Sequence, residues 1–220
     1  MFRRCMALAT LALVLSAPGA LAAGKGTSML ALGVSNGTAD LYSPDGAGYI
    51  SAYDHSEIGF KGEYWLMMSD DYAFTVAGGL GFFSEKHEPG TGSLPGDPER
   101  TYSQSSFSVR LGGDRVAKVG DRAILYFGPG LEFWSGKAKF ENFGLVAPPA
   151  ADEYETENVT RISVSTRVGA HMLLGSNWGL TCHLDRLWGH ASAEENGAKA
   201  TWWPSSTGAS GGLLFMFGGE

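Results

Sequence analysis

The stretch whose reading decides the fold is IGFKGEYWLMM, Ile58 to Met68. Ile58, Phe60, Tyr64, Leu66 and Met68 share one parity; Lys61, Glu63 and Trp65, with Glu57 just before them, share the other. Successive side chains of a strand point to opposite faces, so this segment reads as a strand with one greasy and one charged face. The next run repeats the pattern, with Tyr72, Phe74, Val76, Leu80 and Phe82 against the small set Ala73, Thr75, Ala77, Gly79 and Gly81. Only residues 69–71 separate the two, which is a tight reversal.

The alternation continues in both directions. Phe107, Val109 and Leu111 oppose Ser106, Ser108 and Arg110; Leu125, Phe127, Leu131 and Phe133 oppose Tyr126, Gly128, Gly130 and Glu132. Ile162, Val164, Val168, Ala170 and Met172 oppose Arg161, Ser163, Ser165, Arg167 and His171, and the last run puts Leu213, Phe215 and Phe217 on one side. Eight such runs are joined by connections of two kinds, short at 69–71, 115–121 and 174–177, and long and polar at 35–54, 85–101, 137–158 and 191–206. Short turns at one end and long loops at the other are the signature of an up-and-down membrane barrel. The expected fold is therefore all-β, an eight-stranded antiparallel up-and-down transmembrane β-barrel.

A water-soluble barrel with a greasy interior has the same alternation. Aromatic spacing argues against it. Tyr72 to Phe82 and Trp178 to Trp188 each set same-face aromatics ten residues apart, roughly 33 Å along a strand and about 23 Å across a bilayer at a tilt of about 45°. That matches the apolar band of about 25 Å between two aromatic girdles. Arg186 is the discordant residue, since its parity is that of Leu180, Cys182 and Leu184; snorkelling toward the interface near Trp188, or a bulge, would accommodate it.

Composition bounds the rest. The chain of 220 residues holds one domain's worth of sequence, and its 32 glycines and 12% aromatics suit strands that twist and face lipid. Arg3 and Arg4, the apolar run from Cys5 to Leu15 and the small-x-small Ala20-Leu21-Ala22 read as a secretory leader. The expected division is residues 1–22 as signal peptide and 23–220 as barrel. Loss of Arg3 and Arg4 takes the formal charge from −7 to −9, so nucleic acid is excluded as a partner. Cys5 leaves with the leader, and Cys182 then has no partner for a disulfide.

The segment from Ile124 to Glu141, ILYFGPGLEFWSGKAKFE, resembles a recurring strand of the small outer-membrane barrel superfamily, which includes the OmpA, OmpX, OmpW and Opa types. Arg167 to Trp188, with Val168-Gly169-Ala170 and the turn Gly175-Ser176-Asn177, resembles the hairpin that follows in that group. The resemblance implies residence in the outer membrane of a Gram-negative bacterium, among its lipid and lipopolysaccharide. It also implies a non-enzymatic role at the envelope surface, with a narrow uptake path for small hydrophobic molecules, as in OmpW-type barrels, as the alternative. Members commonly end on an aromatic, whereas here Phe217 precedes Gly218, Gly219 and Glu220, so the assembly signal is expected to shift inward to Phe217.

The inward parity collects Glu57, Glu63, Glu132 and Asp185 against Lys61, Arg110, Arg161 and Arg167, with His171 and His183 beside them. Buried charges must be paired, and an eight-stranded barrel is just narrow enough for side chains to fill, so this set reads as an ion-pair network that closes the lumen. His171, His183 and Asp185 lack the spacing of a metal motif, and no cofactor is expected. His190-Ala191-Ser192 resembles the histidine and serine pair of outer-membrane lipid A deacylases, with Glu194 or Glu195 as the acid, which makes a hydrolase the catalytic alternative. The long loops carry an excess of acids, among them Asp40, Asp45, Asp54, Glu88, Asp97, Glu99, Asp152 and Glu157. Such a rim suits divalent cations or a basic partner.

Overall fold

A computed structural model describes residues 23–39, 55–87, 100–141, 153–155, 158–195 and 198–218. The leader 1–22, the acidic loop residues just named, and the side chains of Glu57, Glu194 and Glu195 lie outside the described residues.

Eight long strands form the cylinder: β1 (Ser28–Ala39), β2 (His55–Ser69), β3 (Tyr72–His87), β4 (Arg100–Val119), β5 (Ala123–Glu141), β7 (Val159–Leu173), β8 (Trp178–Glu195) and β10 (Ser205–Phe217). Two short pieces, β6 (Glu153–Glu155) on β5 and β9 (Ala198–Trp202) on β8, extend the ladder at the loop end. Each long strand pairs antiparallel with its neighbours, and β10 on β1 closes the sheet from Ser28↔Phe217 to Gly37↔Gly208. Closure is what the bilayer demands, because an open sheet edge would leave N–H and C=O groups without partners in hydrocarbon. The register, followed once around from Gly37 through Gly208, Asp185, Arg167, Gly128, Asp114, Ala73 and Met67, returns to Thr27, ten residues lower on the starting strand. That stagger tilts the strands by roughly 40° and makes cross-strand neighbours climb steadily around the wall.

The alternation resolves as a membrane protein resolves it. Phe74, Leu131 and Val164 are 44%, 61% and 53% exposed, while Glu63, Arg110 and Arg167 are 3%, 2% and 3% exposed. Tyr72, Trp178 and Phe217 face outward near the turn end, and Phe82, Trp188 and the Phe107–Phe133 pair, with ring centroids 5.8 Å apart, face outward toward the loop end. Arg186 is on the outer face. It donates to Thr207 Oγ1 at 2.7 Å and Ser205 Oγ at 3.0 Å, and it lies 5.7 Å from the Trp188 ring. Snorkelling onto two hydroxyls, with the β8–β10 register unbroken, accounts for it without a bulge.

The strands run further than the expected connections allow. β4 continues to Val119, so the reversal expected at 115–121 is confined to Gly120, Asp121 and Arg122, with Gly120 at φ +63°. At the loop end β1 runs to Ala39, β3 to His87, β5 to Glu141 and β8 to Glu195, which trims all four long connections. The sheet persists past the apolar band because each strand still finds a paired neighbour there.

Candidate functional site: the lumen

The lumen is stratified. At the turn end, inward residues from five strands and the incoming chain make an apolar floor of Met29, Met67, Val116, Ile124, Leu214 and Met216, with Ala23 tucked against it. Trp65, Tyr126 and His171 cluster above it with centroids 4.4 to 4.6 Å apart, Trp65 edge-on to the other two rings. His171 Nδ1 meets Thr181 Oγ1 at 2.9 Å.

The Arg167 guanidinium lies on this aromatic layer, 4.3 Å from the Trp65 ring. Its Nε and Nη2 donate to the two oxygens of Asp114 at 2.9 and 2.6 Å, and its Nη1 donates to Glu63 Oε2 at 3.1 Å. One arginine on β7 therefore neutralises two carboxylates, Glu63 on β2 and Asp114 on β4, meeting Asp114 in the bidentate geometry that its planar fork favours. Glu63 also accepts from Trp65 Nε1 at 3.2 Å and pairs with Lys61 at 3.1 Å. Lys61 reaches Asp185 at 3.3 Å, and His183 Nε2 stands 3.0 Å from that same carboxylate. Arg110 donates to Ser165 at 3.0 Å and Thr75 at 3.3 Å, and Thr75 passes its own hydroxyl proton to Asp114 at 3.1 Å. Its guanidinium lies flat on Gly112 and Gly130, where a Cβ would come within 2.5 and 2.6 Å. Nearer the loop end, Arg161 pairs with Glu132 at 3.2 Å and lies 5.2 Å from the Trp134 ring.

Among the described residues the lumen network thus holds Glu63, Asp114, Glu132 and Asp185 against Lys61, Arg110, Arg161 and Arg167. Asp114 is a member that the sequence reading did not name, and the Glu57 side chain lies outside the described residues. The parity of Asp114 is that of Ser108 and Arg110 and it lies just ahead of the reversal expected at 115–121, so the signal was present, but the sequence reading did not include it among the inward charges. Thr75, Tyr126, Ser165 and Thr181, the neutral members of the network, carry no distinguishing sequence signal. Between the network and the loops remains a cavity of about 100 Å³, lined by Lys61, Glu132, Trp134, Arg161 and Asp185.

Of the catalytic alternative, His190 and Ser192 are described, while the side chains of Glu194 and Glu195 lie outside the described residues. The His190 ring packs on Trp203 with centroids 5.0 Å apart, and the Ser192 hydroxyl is bonded to Thr160 Oγ1 at 3.2 Å.

A closed eight-stranded cylinder, greasy outside and ionic within, is a small transmembrane barrel of the outer-membrane type. No protein-family model matches the chain, and no curated protein matches it. Solved structures do. Outer membrane protein OprG from Pseudomonas aeruginosa superposes with a TM-score of 0.55 at 10% identity, over 90% of this chain and 98% of that one. Neisserial surface protein A gives 0.51 at 11% identity, over 89% and 99%. Ail, the attachment invasion locus protein of Yersinia pestis, solved with the heparin analogue sucrose octasulfate, gives 0.50 at 14% identity, over 88% and 99%. At these identities the likeness is one of fold: the chain shares the eight-stranded antiparallel barrel of these outer-membrane proteins.

Proposed function

We propose that the chain is a non-conducting integral protein of a Gram-negative outer membrane, delivered by a leader cleaved after Ala22, whose work is done at the envelope surface. The observation that carries this reading is the seat of Arg167, clamped between Asp114 and Glu63 and stacked on Trp65. A solute that entered the cavity from the loops would meet the Lys61–Asp185 pair, then the arginine clamp, then the packed rings of Trp65, Tyr126 and His171. Opening that path means separating a buried ion triad, which costs several kcal/mol for each unpaired ion. A conformational barrier of that size disfavours a standing pore. What remains available for a task is the loop end, where the acidic residues of the long connections would meet divalent cations or a basic partner.

Planar-bilayer recording tests this. The refolded protein is expected to give no stepwise conductance, whereas Trp65→Ala with Tyr126→Ala, which removes two rings of the seal, is expected to give small steps. Discrete steps from the unaltered chain, at the same protein density, sink the proposal.

A further inference from the structure

We infer that the membrane-facing wall carries a site for one phosphate-bearing, multi-acyl glycolipid of the outer leaflet, seated head-up across β3, β4 and β5; this rests on the outer-membrane reading above. The chain has a formal charge of −7, yet above the loop-end aromatics three lysines share the outward parity of adjacent strands: Lys86 on β3, and Lys137 and Lys139 on β5. The register sets them beside hydroxyls. Phe82, Ser105 and Lys137 form one row across the three strands, and Ser84, Ser103 and Lys139 form the next. Lys137 and Lys139 with these three serines line an open groove of about 480 Å³ whose lower lip is Phe82. Lys139 also pairs with Glu141 at 2.9 Å, on the loop side of the groove. Ammonium and hydroxyl donors in two stacked rows, at headgroup depth, suit the oxygens of a sugar-linked phosphate.

A second groove lies directly beneath. Gly62 and Gly78 face each other across β2 and β3 on the lipid side, and Leu32, Phe60, Leu80 and Phe107 wall a furrow of about 510 Å³ around them. Internal packing does not require these two glycines. A Cβ on Gly78 would come no nearer than 4.0 Å to its closest neighbour, the Ser108 carbonyl oxygen, and one on Gly62 would touch Leu32 at an ordinary 3.6 Å. Gly59 and Gly79 on the same strands are different, since a Cβ there would come within 2.6 and 2.8 Å of neighbouring atoms. The space left by Gly62 and Gly78 therefore opens toward lipid. The two grooves are neighbours on the wall, since Leu80 and Phe82 are consecutive outward residues of β3, as are Phe107 and Ser105 of β4. From Ser105 down to Val109, the partner of Gly78, is four residues of strand, about 13 Å, a distance that an acyl chain spans.

Binding to the refolded full chain in detergent is measured with three probes: diphosphoryl lipid A, the same lipid after enzymatic dephosphorylation, and phosphatidylglycerol. K137Q/K139Q is expected to weaken diphosphoryl lipid A by roughly 30-fold and to leave the dephosphorylated lipid unchanged. G78L, which fills the furrow without an internal clash, is expected to weaken both lipid A forms. Binding of all variants within about threefold of the parent chain overturns the site, as does phosphatidylglycerol binding as tightly as diphosphoryl lipid A. Gel mobility before and after boiling is read on every sample. A chain that shifts on heating and binds no lipid sinks only this site, while one that never shifts sinks the barrel reading beneath it.

Discussion

Replacing Arg167 by alanine isolates the interaction on which the sealed lumen depends. In the native barrel this guanidinium is fully buried, serves Asp114 through two hydrogen bonds of 2.9 and 2.6 Å and Glu63 through one of 3.1 Å, and covers the Trp65 ring at 4.3 Å. The two carboxylates do not lose equally. Glu63 keeps Lys61 at 3.1 Å and the Trp65 N–H at 3.2 Å, but Asp114 keeps only the neutral Thr75 hydroxyl at 3.1 Å. Breaking a buried pair by removing one partner costs about 3 to 5 kcal/mol, most of it the penalty of the stranded charge. The expected loss for R167A is in that range, with Asp114 its main source. Replacing both partners removes the stranded charge, so R167M/D114L is expected to recover more than half of the loss. The assay is reversible urea unfolding of the barrel in lipid vesicles, followed by tryptophan fluorescence, to which Trp65 contributes directly. If R167A costs less than about 1 kcal/mol, or the double variant is no better than the single, then water rather than Arg167 satisfies Asp114 and the seal argument fails.

Three further outcomes are expected. G130A would bring a Cβ within 2.6 Å of the Arg110 guanidinium and should cost about 1 to 3 kcal/mol by urea unfolding, whereas G78A, with open space outside it, should stay within about 0.5 kcal/mol. Removing the acceptors of Arg186 with S205A/T207V should destabilise the barrel by about 1 kcal/mol or more, since the guanidinium is then left at the lipid face; R186L in the same assay should change stability by less than that. Cys182, a free thiol on the exposed outer face, should react in vesicles with a lipid-soluble maleimide and resist a charged, membrane-impermeant thiol reagent. Rapid labelling by the charged reagent would show that this face meets water.

The wall of the barrel was legible because its code is local. One strand's parity separates lipid from lumen whatever its neighbours do, and the aromatics that bracket Tyr72 to Phe82 and Trp178 to Trp188 set the membrane's edges within a single strand. The lumen was legible only in part because its code is transverse. Parity puts Glu63, Lys61 and Arg167 on the inner face, but which of them meet depends on height, and height depends on a stagger of ten residues that no single strand reveals. Trp65, Tyr126 and His171 come from β2, β5 and β7 and share a level only after the cylinder closes. The Gly112-Gly113 pair shows the difficulty most plainly. In sequence, Gly112-Gly113 only interrupts the apolar alternation; in the barrel, Gly112 and Gly130 are the flat bed on which the Arg110 guanidinium lies. Asp114, just beyond that pair, keeps the inward parity of Arg110 and is the acid that Arg167 needs, yet the sequence reading did not count it. The same comparison sorts the glycines by purpose. Where a Cβ would strike a buried cation or a neighbouring backbone, the glycine serves the lumen or the wall. Where it would meet only open space on the lipid side, as at Gly78, the fold does not explain it, and the explanation has to come from what lies outside the barrel.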